Sequence, residues 1–171
     1  LFRSTTATAQ GVAIPEDYFG ALAVHESGPD DSGGLQATLA DHGYAYVQGY
    51  LPRDEVLAAR TQIFSKLAGV GEVDGDPSNG LYTGTSRRRE LIDDLGGFWR
   101  DVAETWALRR LTHGPEMNAL MSRALGTPAV AQDFVFLRPA NPGKTTHVHC
   151  DYGFFTRCTE NVLTAWVALG D

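Results

Sequence analysis

The residues HVHCDYGFF, 147–155, place four metal-ligating side chains within five positions: His147, His149, Cys150 and Asp151. In a strand, residues two apart share a face, so His147, His149 and Asp151 point one way while Val148 and Cys150 point the other. Residues four apart on a strand lie about 13 Å from each other along it, and those two apart about 6.6 Å. Metal–ligand bonds are about 2 Å long. His147 and Asp151 therefore do not share one ion on an unbroken strand, whereas a neighbouring pair such as His149 with Asp151 can converge on one. A third ligand from a distant strand would complete a two-histidine, one-carboxylate iron site, which keeps coordination positions open for substrates. Cys150, on the opposite face, reads as a packing residue, and Cys158 as a loop thiol.

These residues must be positioned by the elements around them. Three apolar segments rich in β-branched and aromatic residues, AVAQDFVFLRP, THVHCDYGFF and NVLTAWVALGD, follow Pro128, separated by the turn signals NPG (141–143) and TE (159–160). They read as antiparallel strands. Helices come first. Leu35 and Leu39 lie four apart in a short helix that Gly43 ends, and YAYVQGY, 44–50, reads as a strand. Pro52 and Asp54 open an amphipathic helix with Val56, Ala59, Ile63 and Leu67, ending near Gly69. The Gly-, Asp-, Pro- and Asn-rich residues 71–80 read as a flap. Phe98, Val102, Trp106 and Leu111 keep near-helical spacing up to Gly114, and Pro115 starts a helix with Met117, Leu120, Met121 and Leu125 that ends at Gly126. The aromatic and Met positions there read as core, and His113 as a helix C-terminal residue favourably placed against the dipole. Residues 1–34 read as an irregular arm, 35–126 as a mainly helical part and 127–171 as the strands of one single domain.

Composition excludes several classes. The 171 residues are 43% hydrophobic and 20% charged, enough for one sizeable core. Fourteen Lys and Arg against 21 Asp and Glu give a formal charge of -7, and basic residues cluster only at Arg87, Arg88 and Arg89, which read as a solvated turn. Neither nucleic acid nor an anionic membrane is the expected partner. No apolar run approaches the roughly 20 residues that span a bilayer, and LFRSTTATAQ carries no signal-peptide apolar core. Two cysteines without a CxxC spacing form no disulfide framework. A cytoplasmic protein is the expectation; oligomeric state leaves no signal.

The HxD motif, GYAYVQGYL (43–51) and the final segment with Trp166, Leu169 and Asp171 in a W-x-x-L-x-D pattern together resemble the phytanoyl-CoA dioxygenase-like family of Fe(II)- and 2-oxoglutarate-dependent oxygenases. The resemblance runs from about residue 35 to the end. It implies an α+β protein in which N-terminal helices precede a double-stranded β-helix, a cupin-like jelly roll whose first strands fall in this chain. It implies His149 and Asp151 as the first two iron ligands and Trp166 beside the 2-oxoglutarate pocket, with Thr164 and Thr146 as hydrogen-bond donors to the cosubstrate. A distal His ligand and a cosubstrate-binding Arg are expected beyond residue 171, so the chain reads as a fragment. The implied cofactors are Fe(II), 2-oxoglutarate and O2, and the implied reaction hydroxylates an unactivated C–H bond of a small-molecule substrate with release of succinate and CO2. Related halogenases lack the carboxylate at the Asp151 position, so its presence favours hydroxylation or desaturation. Tyr152, Phe154 and Phe155 directly follow the ligands and line the substrate pocket in this reading, or pack as core.

Two other readings use the same residues differently. THVHCDY is a variant of the HxHxDH motif of zinc hydrolases in which Tyr152 stands where the last His belongs. A jelly-roll binding protein without catalysis would need no distal ligand.

Overall fold

The computed structural model describes residues 8–9, 11–26, 31–137, 149, 153 and 159–170. Six helices order the middle of the chain: α1 (Ser32–His42), α2 (Arg53–Ala68), α3 (Arg88–Leu91), α4 (Leu95–Ala103), α5 (Trp106–His113) and α6 (Pro115–Leu125). Their ends follow local chemistry. The Asp31 carboxylate accepts the Gly34 N–H at 3.1 Å and Asp94 accepts that of Gly97 at 2.8 Å, each satisfying an orphan first-turn donor. At the other ends, Gly43 (φ 74°) and Gly126 (φ 69°) adopt the left-handed conformation that lets the last turn close. Pro115 sits at the first position of α6, where its missing N–H costs nothing.

The core lies between α2, α4 and α5. Ala59 and Ile63 on α2 meet Ala107, Leu108 and Leu111 on α5, with Val102 of α4 completing the buried cluster. Leu111 and Val102 are 1% and 0% exposed, and each contributes roughly 1.5–3 kcal/mol by leaving water. Gln62 of α2 fixes the approach of the helices by accepting the Ala107 N–H at 3.0 Å in the first turn of α5. Arg110 then ties α5 to both neighbours, lying 3.0 Å from Glu55 of α2 and 2.6 Å from Glu116 of α6. Helix α1 packs on α6, and Gln36 donates to the Arg123 carbonyl at 2.9 Å.

Several segments depart from the sequence-based expectation. The chain read as one helical stretch through Phe98 and Leu111 is two helices, because Thr105 turns extended (φ -60°, ψ 139°) between α4 and α5. The turn also brings Trp106 to the surface, 74% exposed, so this aromatic is not core. Residues 71–80 are not a flap. Val73–Asp74 (β3) pairs antiparallel with Leu81–Tyr82 (β4), and the hairpin is anchored by buried Val70, Glu72 and Val73. Gly80 is required there, since a Cβ would lie 2.2 Å from a Val73 methyl carbon. Nor is the arginine run wholly solvated: Arg88 pairs with the Glu72 carboxylate, which is 5% exposed, and lies 4.5 Å over the Trp99 ring. The segment 44–50 forms no strand, only a parallel bridge from Tyr46 to Val24. The arm holds a small antiparallel pair, β1 (Thr8–Ala9) with β2 (Val12–Ala13), and a 3-10 turn at Glu16–Tyr18.

The described residues beyond Gly126 form no strand ladder. Of the three segments expected to pair, 129–137 and 161–170 are described and form no strand, and of 146–155 only 149 and 153 are described, so the jelly roll is not displayed. Both segments nevertheless touch the helices. Val135 and Leu137, and likewise Val167 and Leu169, lie against the helical core. Their neighbours Phe134 (74% exposed), Phe136 (68%) and Trp166 (87%) turn away from it. Among the described residues no helix is long and apolar enough to cross a membrane.

Candidate metal centre

His149 is the one proposed ligand among the described residues, and it is exposed. Asp151, Thr146, His147, Tyr152, Phe154, Phe155, Lys144, Cys150 and Cys158 lie outside the described residues. Thr164 and Trp166 are both exposed on the segment 159–170. That segment is seated from both ends. Asn161 Nδ2 donates to the Leu125 carbonyl at 3.3 Å, and near its far end Gly170 lies so close to α2 that a Cβ there would meet Arg60 Nη1 at 3.1 Å.

The helical face of the two extended segments is closed by apolar packing, which leaves the opposite face as the side on which polar ligands and an open coordination sphere can exist. Exposed Trp166, Phe134 and Phe136 lie off the helical core. An imidazole with a carboxylate two residues on is a donor set suited to non-haem Fe(II). Among the described residues there is no group of three or more His, Cys, Asp and Glu side chains fit to hold an ion.

The remaining histidines with described partners are accounted for structurally. His25 Nδ1 is 3.0 Å from Thr38 Oγ1, and its Nε2 lies 3.1 Å from the Asp31 carboxylate, so the ring links the arm to the start of α1. His113 ends α5 as expected, with both ring nitrogens engaged. Asp133 has a fully exposed side chain, and its carbonyl accepts from Arg109 Nη2 at 2.7 Å. The role of Arg109 was not read from the sequence, although its i, i+4 spacing to His113 marks the pair. Arg109 also grips Glu104, and that hydrogen bond, with the guanidinium charge behind it, holds the Glu104 carboxyl below the usual range. Arg110 does the same to Glu116.

The phytanoyl-CoA dioxygenase (PhyH) family matches residues 39–171, and the chain belongs to that family. Among curated proteins, 1-deoxypentalenic acid 11-beta-hydroxylase of Streptomyces exfoliatus is 26% identical over 147 residues, covering 82% of this chain and 49% of the relative. The chain thus spans about half the length of that relative. No solved structure matches.

Proposed function

We propose that the protein is an Fe(II)- and 2-oxoglutarate-dependent dioxygenase that hydroxylates an unactivated C–H bond of a small-molecule metabolite, releasing succinate and CO2. The observation that carries this reading is the family match, which runs through both the HxD motif and the W-x-x-L-x-D segment to residue 171. The His149 imidazole and the Asp151 carboxylate hold the iron, with a distal histidine downstream of Asp171 as third ligand. Bound there with 2-oxoglutarate and O2, the iron supplies the oxidising power for C–H hydroxylation. Thr164 and Thr146 donate hydrogen bonds to the cosubstrate and Trp166 borders it. Tyr152, Phe154 and Phe155 wall the pocket and exclude water.

The relative's name describes 11-beta hydroxylation of 1-deoxypentalenic acid. An apolar small-molecule substrate for this protein agrees with that name and with the aromatic side chains on the face turned from the helices. The test is a turnover assay on the full-length protein with Fe(II), ascorbate and 2-oxoglutarate, following succinate by mass spectrometry. O2-dependent succinate formation that disappears in His149→Ala and in Asp151→Ala is the expected result. Wild-type protein that loads iron but consumes no 2-oxoglutarate, with or without candidate substrates, contradicts the reading.

A further inference from the structure

Arg60 of α2 meets the end of the segment 159–170 without a counter-ion: none of the ion pairs among the described residues includes it. Its Nε is buried and has no hydrogen-bond partner. The guanidinium lies 5.1 Å from the centroid of the Phe64 ring, one turn further along the helix. A guanidinium keeps its charge at every ordinary pH and only donates, so a buried N–H of this kind calls for an acceptor, and a carboxylate matches its geometry best. The helix supplies none. Val56, Leu57, Ile63 and Phe64, three and four residues away on α2, are all apolar.

The acids outside the described residues are Asp30, Asp151 and Asp171. Asp30 adjoins the start of α1, which packs on α6, and Asp151 is committed to iron in the reading above. Asp171 directly follows the residue that approaches Arg60. A Cβ built on Gly170 would lie 3.1 Å from Arg60 Nη1 and 3.6 Å from its Cζ. The Gly170 Cα is thus within about 5 Å of Nη1, and the Asp171 Cα lies about 3.8 Å further along the chain. That separation is one an aspartate side chain spans. Glycine at 170, having no Cβ, leaves the guanidinium unobstructed.

We propose that Arg60 is a positioning residue that takes the Asp171 carboxylate in an ion pair and so pins the end of the W-x-x-L-x-D segment to α2. Asn161 ties the start of the same segment to the Leu125 carbonyl. Thr164 and Trp166 stand between the two ties. Their contact with 2-oxoglutarate rests on the oxygenase reading; under it, a segment loosened at Asp171 binds the cosubstrate more weakly while its chemistry is little changed.

The experiment is 13C NMR on full-length protein labelled at the aspartate carboxyls and titrated from about pH 7 to 3.5, through the ordinary aspartate value of about 3.9. The Asp171 signal is assigned by its loss in Asp171→Asn. In the wild type this carboxyl is expected to titrate clearly below the ordinary value, to return to it in Arg60→Gln, and to stay partly lowered in Arg60→Lys, which keeps the charge. An ordinary titration in the wild type, or a lowered one that persists in Arg60→Gln, overturns the ion pair. The wild-type titration decides the first point without any variant, so a poorly folding mutant does not obscure it. In turnover assays Arg60→Gln is expected to raise KM for 2-oxoglutarate several-fold with kcat little changed, and Arg60→Lys to restore it. An unchanged KM in Arg60→Gln overturns the positioning role. The titration uses neither iron nor cosubstrate, so a wild type that forms no succinate contradicts the oxygenase reading and leaves the ion pair to be decided by the carboxyl signal.

Discussion

Helices α2, α4 and α5 bury Ala59, Ile63, Val102, Ala107, Leu108 and Leu111 among themselves, whereas the segments 131–137 and 161–170 only partly bury Val135, Leu137, Val167 and Leu169 against that core. The first region closes its own core. The second lends Val135, Leu137, Val167 and Leu169 to that core and leaves Phe134, Phe136 and Trp166 exposed. The difference separates two tasks. Packing density belongs to the helices, and the surface free to acquire ligands belongs to the segments laid over them.

Substitutions that break the helical region should have the largest effects. Arg88→Ala strands the Glu72 carboxylate in the hairpin anchor, and a loss of about 3–5 kcal/mol is expected by chemical denaturation followed by circular dichroism. Leu111→Ala opens a cavity at the α2–α5 contact, with an expected loss of about 2–5 kcal/mol in the same assay. If either variant unfolds at the wild-type midpoint, the helices are not the stabilising region.

Acid tests the same region through its ion pairs. The Arg109 and Arg110 hydrogen bonds lower the carboxyl pKa values of Glu104 and Glu116 in the folded chain. A depressed folded value contributes stability above the unfolded value of about 4.3, and that contribution fades as pH falls through the lower folded value. Denaturation midpoints should therefore fall below about pH 4.3, and less steeply in a Glu104→Gln, Glu116→Gln double variant. An identical acid profile in both proteins removes the two pairs from the account. The smallest effect is expected in the outward face: Trp166→Ser should change stability by less than about 0.5 kcal/mol, because its ring contributes little burial. A loss comparable to that of Leu111→Ala would erase the contrast between the regions.

The helical region was the more legible of the two. Gly43, Pro52, Gly69, Pro115 and Gly126 mark helix ends because glycine and proline act through local backbone conformation, which the sequence carries directly. The break between α4 and α5 was missed because the apolar spacing of Phe98, Val102, Trp106 and Leu111 continues across it, and only the turn at Thr105 reveals the change of direction. The hairpin at 73–82 was hidden by its polar turn, since its anchor, Glu72 with Arg88, depends on residues sixteen apart. The segment 129–139 reads as a strand in the sequence, but its described residues form none, and a turn bond joins Leu137 N–H to the Val135 carbonyl. Which of its residues would be covered was not legible, because that depends on the distant helices.

The central claim is that His149 and Asp151 carry iron to which 2-oxoglutarate chelates. Anaerobic titration of Fe(II) and then 2-oxoglutarate into the full-length protein tests it by the weak visible charge-transfer band of a chelated 2-oxoacid. The account predicts a band in the wild type that is lost in His149→Ala. Iron that binds without giving the band, or a band that persists undiminished in His149→Ala, would contradict it.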